Sequence, residues 1–124
     1  MGIKRFEDII AWQKAQDFSL EIYKHFKSSK EYSFKDQITR ASVSISNNIA
    51  EGFDRSSNQE FIRFLYYALG SNSEVRSMLY LAVRLEFISK EKSTKLIHQS
   101  NEKSRMIFGL IKSMKQNQFL IPIY

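Results

Sequence analysis

The sequence has no cysteine, a single proline at position 122 and only four glycines among its 124 residues. The absence of cysteine excludes a disulfide scaffold, a thiolate metal site and a cysteine nucleophile. Because the one proline lies near the carboxyl end, the main helix breaker is missing from everything before it. No apolar run approaches the roughly 20 residues that cross a bilayer, and no secretory signal opens the chain. We therefore expect a soluble cytoplasmic protein without a membrane partner.

Aromatic residues are abundant, with 10 Phe, 6 Tyr and 1 Trp. This content supplies far more apolar burial than a disordered chain carries. A length of 124 residues predicts one domain over 1–124. Three- and four-residue spacing of the apolar positions predicts an all-α protein, an up-down four-helix bundle. The predicted helices span about 7–27, 34–51, 58–87 and 90–116, followed by an apolar tail over 117–124.

Short polar signals predict where the helices begin and end. Glu7 and Asp8 are expected in the first turn of helix one, where the helix dipole favours acidic groups. Capping boxes are predicted for helix two, with Ser33 and Asp36, and for helix three, with Ser57 and Glu60. Gly52 is expected just after helix two, and Ser89 is expected to cap helix four. Lys103 falls among apolar positions, so its ammonium must reach solvent or a carboxylate.

The third helix carries two apolar stripes, although a helix in an isolated bundle needs only one. The first stripe consists of Phe61, Leu65, Ala68, Asn72, Val75, Leu79 and Ala82. The second consists of Ile62, Tyr66, Leu69, Ser73, Arg76, Tyr80, Val83 and Phe87. Two packing faces predict that copies of the chain associate into a homo-oligomer.

A polar stripe on the second helix has two interpretations. Its members are Arg40, Ser44, Asn47, Asn48 and Glu51. A structural network of hydrogen bonds would set helix register and subunit contacts, with Glu51 also reaching Arg55 four residues on, and we favour this interpretation. The alternative is a cryptic active site built on Arg40 and Glu51. Other enzyme signatures are missing: neither His25 nor His98 lies in a Glu-x-x-His unit, and the glycines are scattered. We expect no enzymatic activity, no metal and no cofactor.

Positive charge is concentrated near the carboxyl end. The net charge is +6, of which +5 lies within residues 90–124. An anionic partner is indicated, nucleic acid first, although a solvated helix face would show the same charge. The candidate RNA- or DNA-binding residues are Arg55, Arg63, Lys90, Arg105, Lys112 and Lys115. No recognition-helix or RNA-binding-domain pattern accompanies them, so binding would be weak, salt-sensitive and without strong sequence preference. The alternative function is a structural or adaptor protein that binds another protein.

Several segments together carry a family resemblance. They are Phe6-Glu7-Asp8-Ile9, the Gln37–Ile45 stretch, NIAEG at 48–52 and ALGSNSE at 68–74. In these segments the chain resembles the four-helix bundle proteins encoded within intervening sequences of bacterial 23S rRNA genes. The resemblance implies an up-down four-helix bundle that assembles into a homopentameric barrel. It also implies a distant relation to the accessory variability protein of diversity-generating retroelements, which acts with nucleic acid. The tail lies beyond the matched region, and no enzymatic motif comes with the family.

Overall fold

The computed structural model describes residues 2–116, and the apolar tail lies outside the described residues. Four α-helices lie within this described range: α1 (Ile10–Phe26), α2 (Tyr32–Phe53), α3 (Asn58–Arg84) and α4 (Lys90–Lys115). A 3₁₀ turn over Phe6–Asp8 precedes them, and no strand occurs within residues 2–116. Short connections make successive helices antiparallel neighbours. Contacts join α1 to α2, α2 to α3, α3 to α4 and α4 back to α1, which closes the all-α four-helix bundle.

The apolar stripes of all four helices meet in one core. Its largest fully buried side chains include Phe18, Phe26, Ile38, Ile45, Ile49, Leu65, Leu79, Leu96, Ile107 and Leu110. The first stripe of α3 is buried throughout. The second stripe is divided: Leu69 is buried, whereas Tyr66 and Tyr80 are exposed. A large part of the outward side of α3 is therefore aromatic surface that residues 2–116 leave exposed.

Two of the predicted helix starts are confirmed by cap hydrogen bonds. The Ser57 hydroxyl accepts from the Glu60 backbone N–H at 3.2 Å, and the Ser89 hydroxyl accepts from the Lys92 backbone N–H at 3.2 Å. Each bond satisfies one of the free donors in the first turn of a helix. Each of these caps depends only on residues three apart in the chain, so the sequence predicts it without knowledge of the neighbouring helices.

The predicted start of the first helix was wrong. Glu7 and Asp8 lie in the 3₁₀ turn, and α1 begins only at Ile10. Ile9, which joins the 3₁₀ turn to α1, has an extended backbone and a completely buried side chain. Phe6 packs edge-on against Trp12 with ring centroids 5.3 Å apart. Burial of Ile9 and partial burial of Phe6 and Trp12 favour a turn of the chain before α1. The acidic residues of the predicted first turn carry no information about this packing.

The cap predictions for α2 were also wrong at both ends. The helix begins at Tyr32, before Ser33, and its N-cap residue Glu31 makes no side-chain cap hydrogen bond. Phe34 fixes this start instead, because its ring packs between two other rings, 5.8 Å from Phe26 and 5.2 Å from Phe87. Gly52 lies inside α2, which continues to Phe53.

The third helix ends at Arg84, three residues before the predicted end. Its last turn closes with the Phe87 N–H donating to the Ala82 carbonyl at 2.8 Å and the Glu86 N–H donating to the Val83 carbonyl at 3.0 Å. This pair of bonds defines a Schellman motif. Glu86 occupies the left-handed position with φ of 62°, where glycine is the usual residue.

Candidate nucleic-acid interface

Four of the six predicted cations share one exposed side of α4. We call this side the outer face of α4; it consists of Lys90, Thr94, His98, Asn101, Arg105, Phe108, Lys112 and Lys115, all exposed. These positions recur every three or four residues, so they line one side of a helix. Because the rise per residue is 1.5 Å, the face extends about 37 Å along the axis.

The outer face of α4 is positive because no acidic residue shares it. The two acidic residues of α4 are Glu91 and Glu102, and both lie to the side of the face. Within residues 2–116, the cations Lys90, Arg105 and Lys112 form no ion pair with a carboxylate. Their charges are therefore available to an anionic ligand.

Arg55 and Arg63 lie apart from this face, beside Phe64 at the start of α3. Their guanidinium carbons are 4.7 Å and 5.5 Å from the centroid of the Phe64 ring. Arg55 pairs with Glu51 at 3.4 Å, and Arg63 pairs with Glu60 at 2.9 Å. These carboxylates offset the positive charge, so the two arginines attract phosphate less strongly than the outer face of α4 does.

Two aromatic residues near the cations, Phe108 and Tyr66, were not among the predicted site residues. Phe108 is 54% exposed and lies one turn from both Arg105 and Lys112. Tyr66 of α3 accepts a hydrogen bond from the Lys115 ammonium at 3.1 Å. The signal for Phe108 was present in the spacing, because Ile107, Leu110 and Ile111 already fill the core side of α4.

The predicted polar stripe of α2 is brought together only in part. Asn48 donates to the Ser44 carbonyl at 2.8 Å and to the Ser44 hydroxyl at 3.0 Å. The Ser71 hydroxyl of α3 donates to the same Ser44 hydroxyl at 2.9 Å. Asn47 is exposed on the surface of α2. These contacts link α2 to α3 at the level of Ser44.

Arg40 and Glu51 do not share a site. They are separated by three helical turns, about 16 Å of axial rise. Arg40 lines a surface groove between α2 and α3 together with Glu74, whereas Glu51 pairs with Arg55. This geometry leaves the two side chains too far apart to act on one reacting group.

A second polar network, absent from the sequence analysis, links α3 to α4. The Asn72 amide donates to the Ser100 carbonyl at 2.8 Å and to the Ser104 hydroxyl at 2.9 Å. Arg76 donates to the Ser100 hydroxyl at 3.2 Å. Asn72 was placed in an apolar stripe by its spacing, and it is indeed fully buried. Its partners could not be read from spacing because they belong to another helix.

Of the two outcomes expected for Lys103, solvent or a carboxylate, the structure shows the carboxylate. Its side chain crosses the Phe18 ring in a groove between α1 and α4, and its ammonium lies 3.7 Å from the Glu102 carboxylate. Burial lowers the pKa of Lys103 below its ordinary value of 10.5, and the neighbouring Lys14 lowers it further, while Glu102 opposes the shift.

The described residues contain no group of three His, Cys, Asp or Glu side chains placed to hold a metal ion. His25 bonds the Glu21 carbonyl through Nδ1 at 2.8 Å, and His98 is exposed on α4. Across residues 2–116 no helix has the length and apolar content that crossing a membrane requires.

Comparison with known protein families shows to which family this chain belongs. The model of the 23S rRNA-intervening sequence protein family matches residues 7–109. The chain belongs to this family. The family resemblance drawn from the NIAEG and ALGSNSE segments is thereby confirmed, as is the four-helix fold. No curated protein matches the sequence.

A solved structure supports the same family assignment. It is the crystal structure of a protein of unknown function from the S23 ribosomal protein family of Bacteroides thetaiotaomicron VPI-5482. The TM-score is 0.77 at 30% identity, over 83% of this chain and 99% of that one. Membership in the 23S rRNA-intervening sequence protein family therefore establishes the fold and leaves the biochemical function to be argued from the surface.

Proposed function

We propose that this protein is a non-enzymatic homo-oligomer that binds RNA or DNA in the cytoplasm through the outer face of α4. The observation that carries the proposal is the row of exposed cations Lys90, Arg105, Lys112 and Lys115 on a face without an acidic residue. Lysine and arginine side chains at such a surface neutralise phosphates and release counterions. Arg55 and Arg63 contribute at the adjoining end of the bundle.

Binding through this face does not depend strongly on base sequence. The cations are spread along about 37 Å of one helix, which suits a row of phosphates rather than the edges of a few bases. Phosphate contacts position a protein on nucleic acid but carry no sequence information. No cofactor or metal takes part in this function.

Self-association is the second part of the proposal. The outward side of α3 exposes Tyr67, Gly70, Tyr80 and Leu81. Among the described residues nothing lies within 4 Å of a Cβ built on Gly70, so no contact within 2–116 requires glycine there. Close approach by another copy would explain both the glycine and the exposed rings, and the family resemblance implies five copies in a ring. Several α4 faces on one particle would bind one polyanion with higher avidity.

Fluorescence anisotropy with a labelled structured RNA tests the binding. Affinity should fall steeply between about 50 mM and about 200 mM salt, with a log–log slope of about −3 to −4 for four phosphate contacts. Replacing Arg105, Lys112 and Lys115 together by alanine should flatten this slope. Replacing Lys24, Lys27 and Lys30 removes the same charge elsewhere on the exposed surface and is the matched control. An equal loss in both triple variants, or no binding at low salt, would contradict the proposal.

Light scattering on two charge variants tests the assembly. Leu81→Glu places a carboxylate on the outward side of α3, and we expect it to reduce the particle mass while circular dichroism stays helical. Leu20→Glu is the matched control, because Leu20 is 62% exposed on α1 and Leu81 is 45% exposed on α3. A wild-type mass of one chain at micromolar concentration would refute self-association.

One observation favours the adaptor function as the alternative. Between α1 and α2 the exposed side chains Leu20 and Tyr23 line a groove of about 370 Å³ together with Lys24 and Lys35. The rim holds Lys24, Lys27 and Lys35 against one carboxylate, Asp36, so its net positive charge and apolar floor fit an acidic peptide with apolar anchors. Nuclease-resistant capture of one protein partner, lost in the Leu20→Glu variant, would favour this function over nucleic-acid binding.

A further inference from the structure

The outer face of α4 carries one large apolar side chain, Phe108. It is 54% exposed, and Arg105 and Lys112 lie one turn to either side of it. The core side of α4 is filled by other residues, so the core formed within residues 2–116 does not include this ring. An exposed aromatic ring between cations is the arrangement with which proteins bind unpaired bases, since the ring stacks and the cations follow the backbone.

A second ring extends the same surface onto α3. Tyr66 is exposed, and the Lys115 ammonium lies 5.5 Å from its ring centroid while donating to its hydroxyl at 3.1 Å. Lys115 is two turns beyond Phe108, about 10 Å along α4. Tyr66 therefore holds the Lys115 ammonium at the end of the outer face of α4, and Phe108 is the ring that this face itself exposes.

We infer that the ligand of this face is single-stranded nucleic acid, with an unpaired base stacked on Phe108 and the adjoining phosphates at Arg105 and Lys112. The inference rests on the proposed function and narrows its substrate class. A duplex hides the flat faces of its bases, so it would meet the cations but leave Phe108 without a stacking partner. A flexible single strand satisfies the ring and the cations together.

Anisotropy with labelled twelve-nucleotide oligouridine, oligothymidine and a twelve-base-pair RNA duplex tests this inference at one low salt concentration. Wild type should bind both single strands more tightly than the duplex. Phe108→Ala should weaken single-strand binding about tenfold, the loss expected for one stacked base. Phe108→Leu keeps an apolar side chain without a ring and should be nearly as weak, whereas Phe108→Tyr should retain affinity. Tyr32→Ala, at a ring 63% exposed on α2, should leave binding unchanged.

The outcomes separate this inference from the proposed function. If wild type binds none of the three nucleic acids, the proposed function fails. If wild type binds the duplex as tightly as the single strands, and Phe108→Ala has no effect on either, then only the single-strand inference fails. A Phe108→Ala variant that binds single strands normally but has a reduced particle mass would assign the ring to a subunit contact, which would also overturn the inference.

Discussion

Asn72 and Ser100 exchange two hydrogen bonds across the contact between α3 and α4. The Asn72 amide donates to the Ser100 carbonyl at 2.8 Å, and the Ser100 hydroxyl donates back to the Asn72 side-chain oxygen at 3.0 Å. Both side chains are fully buried. Every buried side-chain polar atom in the part of the chain that the structure describes has a partner. Because buried polar groups are costly when unpaired, this pair ties α3 to α4 in one register.

Removing the amide should destabilise the fold. Asn72→Ala leaves the buried Ser100 hydroxyl without its acceptor and opens space in the core, and we expect a loss of about 2 kcal/mol in the free energy of unfolding. Urea unfolding measures the change. Asn101→Ala, at an exposed position of α4, is the control and should be neutral. Equal effects of the two substitutions would show that the buried pair contributes nothing.

Gly52 should not tolerate a side chain. A Cβ built there collides with the Cβ of Phe64 and lies 3.2 Å from Cδ1 of Phe61. The Cβ of Phe64 moves only with the backbone, so α2 and α3 would have to separate. We expect Gly52→Ala to lower the free energy of unfolding by about 2 kcal/mol, despite the higher helix propensity of alanine. Asn47→Ala, exposed on the same helix, is the control; a Gly52→Ala variant as stable as wild type would exclude the close approach.

Glycine at position 86 should make the fold more stable than glutamate does. Glu86 has φ of 62° at the end of α3, a left-handed conformation that costs an ordinary residue about 1 kcal/mol. We expect Glu86→Gly to raise the free energy of unfolding by about 1 kcal/mol. Glu91→Gly, in the first turn of α4, should lower it by about the same amount because glycine is a poor helix former. Thermal unfolding of both variants checks the opposite signs, and a shared sign would refute this reading of the turn.

Because of Lys103, the free energy of unfolding should increase as the pH is raised into the alkaline range. Burial lowers its pKa below 10.5 in the folded chain, so the unfolded chain binds more protons in the window between the lowered pKa and 10.5. Stability contributed by this group therefore increases as the pH rises through that window. Lys103→Met keeps the stem on Phe18, removes the buried charge and should gain about 1 kcal/mol at neutral pH.

Urea unfolding at pH 7 and pH 10 measures the Lys103 effect. The advantage of Lys103→Met over wild type should shrink at the higher pH, because the lowered pKa lets folded wild type lose the Lys103 proton more readily than the unfolded chain does. Lys95→Met, at an exposed position of the same helix, is the control and should show no such convergence. A constant difference between Lys103→Met and wild type at both pH values would contradict the buried-charge explanation.

Helix caps illustrate how far local sequence patterns predicted the fold. Ser57 and Ser89 cap α3 and α4 as predicted, because a cap hydrogen bond joins residues three apart in the chain. Ser33 matched the same pattern and is no cap, because the aromatic contacts of Phe34 start α2 earlier. Gly52 matched the pattern of a glycine that ends a helix, yet it lies inside α2. Glycine is needed there because a Cβ would collide with Phe64 of α3.

The candidate nucleic-acid interface was likewise predictable from the sequence only in part. The exposed cations of α4 could be placed on one face from their spacing, since helical periodicity needs no knowledge of neighbouring helices. The ion pair of Arg55 with Glu51 was also predictable, because the two residues are four apart in the chain, and Arg63 lies three residues from its partner Glu60. Spacing does not predict that both guanidinium groups lie over the ring of Phe64.

The sequence by itself determined the number of helices, the stripes that form the core and the basic character of α4. Each of these follows from residue types at three- and four-residue spacing along a single helix. Only the tertiary structure decided that Asn72 bonds to α4, that Gly52 admits the close approach of α3 and that Lys103 lies over Phe18. Those features depend on which side chains a neighbouring helix presents at a given height, and the spacing within one helix contains no information about that.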